Sequence, residues 1–257
     1  MIEKWDITIP ELTGDETRRA YVYLPESYEY DQETRYPVLY MFDGHNVFFD
    51  EDATYGKSWG MYDYMEYTET PLIIAAVECN RNPDNGRLRE YSPYSFRDRH
   101  FGQITGQGRT TMEWLTGTFK QYIDSHYRTL PDRENTFIAG SSMGGLMSLY
   151  ALMEYNHVFS RAAALSPSLW VAPKQLEELI AQADLGPDTV LYMDYGALEF
   201  SNHARMERLF GRIVTALLKR HVLLDCRVIP YGTHCEASWE RQTPFFMNAL
   251  LYQPPSE

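Results

Sequence analysis

Residues 140–144, Gly-Ser-Ser-Met-Gly, constrain the fold more than any other feature because they join an apolar strand-like run to an apolar helix-like run. The preceding residues 136–139 are short and apolar, as in a buried strand, and an amphipathic stripe follows the pentapeptide. A G-x-S-x-G pattern in this setting is typical of a nucleophile elbow, whose glycines leave room for a sharp strand-to-helix turn. The sequence therefore makes Ser142 the candidate nucleophile. The stripe consists of Leu146, Leu149, Tyr150 and Met153.

Strand-like and helix-like runs alternate along most of the chain, which predicts an α/β fold with a mostly parallel sheet and helices on both faces. Residues 7–10 and 20–24 are predicted to form an N-terminal antiparallel hairpin. In such sheets, functional side chains lie at the carboxyl ends of the strands. The other predicted strands are residues 38–42, 72–77, 136–139, 162–165, 190–193 and 222–229. Two helices are indicated by the apolar faces Leu115, Phe119, Tyr122, Ile123, His126 and Met206, Leu209, Phe210, Ile213, Leu217.

A serine nucleophile needs a base, and in α/β hydrolases the chain order is serine, acid, histidine. Four histidines follow Ser142, and three of them lie where a helix or strand begins or ends. His234 instead follows the predicted strand 222–229 on a short loop, which is where the base is expected. The histidines set aside are His157, His203 and His221.

The acid is expected after the preceding strand, residues 190–193, where two carboxylates compete. Glu199 lies in a loop that can reach an imidazole, whereas Asp194 directly follows the strand and can accept backbone N–H bonds there. We favour Glu199 and keep Asp194 as the alternative.

The loop after the predicted strand 38–42, Asp-Gly-His-Asn, is expected to supply part of an oxyanion hole. Gly44 permits close backbone approach, and the N–H of His45 is the favoured donor, followed by that of Asn46. The second donor is expected to be the N–H of Met143 at the start of the helix after Ser142. Asn46 and Trp170 are also predicted to contact the substrate.

Length and composition favour one domain spanning residues 1–257. Residues 80–108 are polar and rich in arginine, and we expect this long irregular loop to overhang the site. Zinc binding by His234 and Cys235 is disfavoured because no second ligand pair accompanies them. We therefore predict neither a metal nor a cofactor.

The net charge of −13 and the isoelectric point near 5.0 disfavour nucleic acid and anionic membranes as partners. Three cysteines without a CxxC pair are typical of a reducing compartment, and no signal-peptide-like or membrane-spanning run is present. We expect a cytoplasmic protein that acts on a small molecule, while the sequence leaves open whether it forms a homo-oligomer.

The chain resembles the "putative esterase" family of α/β hydrolases, which includes enterochelin-type, feruloyl and acetylxylan esterases and S-formylglutathione hydrolases. The resemblance implies the α/β-hydrolase fold and the roles of Ser142 and His234, and it supports Glu199, three residues beyond a glycine. An Asp-Gly at residues 43–44 is more similar to the enterochelin-esterase-like branch. The matching segments are residues 36–44, 89–93, 140–145, 166–170 and 232–234.

The leading hypothesis is a serine carboxylic ester hydrolase that acts on a small or medium ester through an acyl-enzyme. Candidate esters are acetyl, feruloyl or siderophore-type. The alternatives are an acyltransferase with the same triad and a non-catalytic binding protein on a hydrolase scaffold.

Overall fold

The computed structural model describes residues 1–199 and 203–252, and its main feature is a mixed sheet of eight strands. The strands in the described part are β1 Ile2–Thr8, β2 Thr17–Tyr23, β3 Val38–Met41, β4 Ile73–Val77, β5 Phe96–Asp98, β6 Gly102–Ile104, β7 Thr136–Ser141, β8 Arg161–Leu165, β9 Val190–Gly196 and β10 Leu223–Ile229. The sheet order is β1-β2-β4-β3-β7-β8-β9-β10, and β5 pairs with β6 separately. β2 pairs antiparallel with β1 and β4, whereas all pairs from β4 to β10 are parallel. The predicted mostly parallel sheet with an N-terminal antiparallel hairpin is therefore confirmed.

Helices cover both faces of the sheet, as predicted, because successive strand residues point to opposite sides. Tyr40 and Ile138 pack with the helices 143–154 and 203–218 in one core, while Leu39 and Phe137 pack with the helices 61–68 and 243–250 in the other. No helix of residues 1–199 and 203–252 is long and apolar enough to cross a bilayer. The helices are α1 Pro10–Thr13, α2 Ser27–Tyr30, α3 Met61–Thr68, α4 Gly86–Glu90, α5 Gly108–Trp114, α6 Lys120–His126, α7 Met143–Glu154, α8 Pro173–Gln182, α9 His203–Leu218, α10 Glu236–Glu240 and α11 Thr243–Leu250.

Two sequence predictions near the chain's N-terminal half need correction. β1 spans Ile2–Thr8 and shares only residues 7 and 8 with the predicted strand 7–10. It ends at Thr8 because Pro10 begins a short helix, in the position that tolerates a missing N–H. A π turn, Leu115–Phe119, joins α5 to α6 and adds one residue to the helical turn. The later side chains are rotated, so Tyr122 and His126 are exposed rather than on the predicted apolar face.

Two further corrections concern segments near the predicted site. β9 extends three residues beyond the predicted 190–193, because its last residues pair with Arg227 to Ile229 of β10, so Asp194 lies inside the strand. Residues 80–108 are not irregular throughout, since they contain α4 and the β5–β6 ribbon.

Candidate active site

Ser142 occupies the sharp turn between β7 and α7 with backbone angles φ 58° and ψ −117°. A positive φ is strained for a residue with a Cβ, and it presents the side chain at the carboxyl edge of the sheet. Gly140 allows this turn because a Cβ there would lie 2.7 Å from the carbonyl carbon of Gly144. The Ser142 N–H donates to the carbonyl oxygen of Leu165 on the neighbouring strand, at 2.9 Å. These contacts fix the hydroxyl at the end of β7.

His234 lies between the hydroxyl of Ser142 and the carboxylate of Glu199. Its Nε2 is 2.9 Å from Ser142 Oγ, and its Nδ1 is 3.0 Å from Glu199 Oε2. The loops that carry the two residues touch where β9 and β10 end, since a Cβ on Gly196 would lie 2.4 Å from the backbone of Gly232. The sequence prediction thus named three side chains that form a continuous hydrogen-bonded chain.

The carboxylate of Glu199 is buried, with a side chain only 1% exposed, and both of its oxygens accept hydrogen bonds. Oε1 accepts from the N–H of Gly196 at 2.6 Å and lies 2.5 Å from the hydroxyl oxygen of Ser166. Oε2 faces His234. Hydrogen bonds to both oxygens hold the carboxylate in this buried position.

Asp194, the alternative acid, has a different set of partners. Its Oδ1 accepts from the N–H of Ser166 at 3.1 Å, and its Oδ2 accepts from the hydroxyl of Tyr192 at 2.8 Å. Burial raises the pKa of Asp194 to about 7. The carboxylate that meets Nδ1 of His234 is that of Glu199.

The loop after β3 forms a 3₁₀ turn, Gly44–Asn46, which begins after Asp43 in the left-handed region, φ 58°. The N–H groups that begin a helical turn have no partner within that turn, and this applies to His45 here and to Met143 at the start of α7. The side chains of both residues are buried. Nδ1 of His45 has no hydrogen-bond partner among the described residues, and burial lowers the pKa of its imidazole.

Arg87 fixes the position of this loop through an ion pair with Asp43. The Nε and Nη2 atoms of Arg87 each donate to one oxygen of Asp43 at 2.7 Å, and Tyr91 Oη accepts from the Asp43 N–H at 3.2 Å. Burial by itself would raise the pKa of Asp43. The charge and the hydrogen bonds of Arg87 together outweigh this effect, so the pKa of Asp43 is lowered. Asp43, His45 and Cys79 also bring one potential metal ligand each within 4.8 Å. Because Arg87 already engages both oxygens of Asp43, its charge disfavours a cation there.

A cavity of about 990 Å³ opens over Ser142 and His234. Asn46 lies in its wall, with Nδ2 donating to Glu236 at 3.4 Å and Oδ1 accepting from the N–H of Thr54. Trp170 is not one of the described residues that line the cavity. Its ring packs edge-to-face on Phe96, with centroids 5.6 Å apart. The position of Trp170 therefore gives no support to its predicted contact with the substrate.

The expected active-site loop contributes to the cavity only through its first part. Lining residues come from positions 80–83 and 85–88, whereas the β5–β6 ribbon is outside the described lining. Sequence reasoning missed four side chains that contact the predicted residues: Arg87, Ser166, Glu236 and Trp239. The only signal in the sequence is proximity to a motif. Ser166 begins the segment 166–170, Glu236 and Trp239 follow His234, and Arg87 lies in the Arg-rich loop.

The sequence matches the Esterase family, described as "Putative esterase", over residues 13–256. Protein YbbA of Bacillus subtilis (strain 168) is 27% identical over 195 residues, which cover 74% of this chain and 72% of YbbA. An IroE-like serine hydrolase from Shewanella oneidensis superposes with a TM-score of 0.74 at 22% identity, covering 97% of this chain and 79% of that one. A ferulic acid esterase gives a TM-score of 0.71 at 19% identity, covering 96% of both chains.

The family match extends over most of the chain, and the two solved structures share its fold. The chain therefore belongs to the "Putative esterase" family and is a carboxylic ester hydrolase with the α/β-hydrolase fold.

Proposed function

We propose that this esterase cleaves its substrate through an acyl-enzyme on Ser142, with His234 as general base and Glu199 as the acid that orients it. The observation that carries the proposal is the hydrogen-bonded chain from Ser142 Oγ through His234 to Glu199 at the base of the cavity. As Oγ attacks the ester carbonyl carbon, its proton passes to Nε2 of His234. The imidazolium returns that proton to the leaving alkoxide, and a water molecule then releases the acid by the same steps.

The carbonyl oxygen becomes an oxyanion in both steps, and we assign its stabilisation to the N–H groups of His45 and Met143. Both stand at the start of a helical turn, on the two loops that follow β3 and β7. Such donors contribute most when they are fixed before the reaction begins. The ion pair between Arg87 and Asp43 supports this role because it fixes the first of these loops.

For the substrate we propose a polar ester of small or medium size. Most of the residues that line the cavity have hydrogen-bonding side chains, so the wall can bind an acyl or alcohol group that bears hydroxyls. Because a ferulic acid esterase has the same fold, feruloyl esters are suitable first probes, followed by acetyl and siderophore-type esters. The amide and guanidinium groups in the wall are those of Asn46, Asn80, Asn82, Asn85, Arg81 and Arg87.

We favour hydrolysis over acyl transfer because the site is open to water. The imidazole of His234 is 30% exposed, so a water molecule can reach the base that must activate it.

All three cysteines are free thiols, which supports a cytoplasmic location as part of the same proposal.

The test compares two adjacent serines of the elbow. Ser142→Ala should fold normally, lose hydrolysis and lose covalent labelling by a fluorophosphonate, whereas Ser141→Ala should keep both. Mass spectrometry should locate the adduct on Ser142, and product analysis with an added alcohol should give mainly the free acid. Hydrolysis by Ser142→Ala at the normal rate would refute the proposal.

A further inference from the structure

Ser166 follows β8 in an unusual backbone conformation, with a φ of 45° that is rare for a residue with a Cβ. Its N–H donates to Asp194 twice over, to the carbonyl oxygen at 3.0 Å and to Oδ1 at 3.1 Å. These bonds to the neighbouring strand hold the backbone in this conformation. The hydroxyl is thereby directed at the loop that carries Glu199.

The hydroxyl of Ser166 has two partners whose chemistry fixes the direction of each hydrogen bond. Trp239 Nε1 lies 2.9 Å from Ser166 Oγ, and an indole N–H can only donate. The Ser166 oxygen therefore accepts from Trp239, and its own hydrogen is left for Oε1 of Glu199, 2.5 Å away. Ser166 is in this way a donor to the carboxylate that faces His234.

Trp239 also contacts the imidazole at the other end of the same chain. Its ring packs edge-to-face on that of His234, with centroids 5.1 Å apart and an interplanar angle of 83°. The indole therefore touches the first and the last member of the series Ser166, Glu199 and His234. These four side chains form a closed ring, in which displacement of one member displaces the others.

We propose that Ser166 and Trp239 are positioning residues that hold the carboxylate of Glu199 and the imidazole of His234 in place. The inference rests on the proposed function, in which the Glu199 carboxylate orients the base. Without the Ser166 hydroxyl, the carboxylate would lose one of its donors and would attract the imidazolium of His234 more strongly. Other titratable groups that act on the pair are Asp194 and Tyr195 of β9 and Glu236 of α10, and all are retained in the variants below.

The experiment measures kcat and its pH dependence for Ser166→Ala and Ser166→Gly. Both remove the hydroxyl, but only glycine relieves the positive φ, so the pair separates the hydrogen bond from backbone strain. We expect kcat to fall about tenfold in both variants, with the acid limb of the profile displaced upward by about one pH unit. KM should change little because the hydroxyl is not in the cavity wall.

Trp239→Phe removes the indole N–H and keeps the ring that packs on His234. Its matched control is Trp59→Phe, because Trp59 packs on Trp239 in the same aromatic cluster, with centroids 6.1 Å apart. We expect kcat to fall about threefold in the first variant and to stay unchanged in the second. The combination of Trp239→Phe with Ser166→Ala should be no worse than Ser166→Ala alone, since the N–H acts through that hydroxyl.

The inference would be overturned if the Ser166 variants kept the kcat and the acid limb of wild type and had only a lower melting temperature. Ser166 and Trp239 would then have packing roles alone. Full additivity of the two substitutions would overturn the link through Ser166. Failure of the proposed function is separate, because it requires that Ser142→Ala stay active.

Discussion

The loops after β3 and β9 approach Ser142 from opposite sides of β7. In the sheet, β3 lies next to β7 on one side, and β8 and β9 lie on the other. Glu199, in the loop after β9, accepts hydrogen bonds from the N–H of Gly196 and from the hydroxyl of Ser166, which follows the neighbouring strand β8. The β3 loop is held by an ion pair to Arg87, 44 residues further along the chain. We call the side that carries Glu199 the acid side and the side that carries His45 the oxyanion side, after the roles proposed for these residues. The acid side is built from adjacent strand ends, whereas the oxyanion side depends on a contact with a distant part of the chain.

The largest effect should come from Glu199→Gln on the acid side. An amide cannot stabilise the imidazolium and presents the wrong group to one of its donors, so kcat should fall by roughly 10²- to 10⁴-fold, with little change in melting temperature. Asp194→Asn is the matched control, since it makes the same change five residues earlier in the same strand and loop. A collapse of kcat in Asp194→Asn beside nearly normal Glu199→Gln would transfer the role to Asp194.

On the oxyanion side, Arg87→Met should reduce both activity and stability. It leaves the buried carboxylate of Asp43 without its counter-charge, which should lower the free energy of unfolding by about 3 kcal/mol. The 3₁₀ turn should shift as well, and a misplaced donor should lower kcat/KM by about 10²-fold. Denaturant titration and steady-state kinetics measure the two effects.

Arg81→Met is the control for Arg87→Met because Arg81 lines the same cavity but pairs with Glu78 at the surface. Its loss should change the free energy of unfolding by less than about 1 kcal/mol. Equal effects from both arginines would mean that the cavity needs positive charge in general, and that the β3 loop does not depend on Arg87.

The third prediction uses pH to distinguish the two carboxylates of the acid side. Burial raises the pKa of Asp194 to about 7, so its contribution to stability is complete below the unfolded value and is lost as pH rises through 7. Asn at this position does not titrate. From about pH 5.5 to about pH 8, wild type should therefore lose about 2 kcal/mol of unfolding free energy relative to Asp194→Asn. A constant difference between the two proteins over this range would contradict the raised pKa.

The sequence could predict that Ser142, Glu199 and His234 lie close together because their placement depends on order along the chain. The strand ends, the glycine turn and the chain order of Ser142, Glu199 and His234 are all local or sequential signals. The ion pair on the oxyanion side could not be found in this way, since nothing near Asp43 in the sequence indicates Arg87. The extension of β9 past Asp194 was missed for a similar reason, as it depends on pairing with β10.

The π turn at Leu115–Phe119 shows where a prediction of the buried helix face from helical periodicity fails. A pattern based on 3.6 residues per turn assigns Tyr122 and His126 to the buried face, and a single added residue moves them to solvent. The sequence does not indicate where the extra residue is accommodated, because the apolar residues on both sides fit a regular helix.

The smallest effects concern which side of the site binds substrate. The β3 loop and the segment around Arg87 supply much of the cavity wall, whereas Trp170, on the β8 side, packs on Phe96. Asn46→Ala should therefore raise KM about threefold to tenfold, because it removes a hydrogen-bonding group from the wall. Trp170→Phe should leave kcat/KM within about twofold, since an edge-to-face contact between two rings persists. If Trp170→Phe raised KM tenfold while Asn46→Ala did not, the substrate would bind on the β8 side of the site and not on the β3 side.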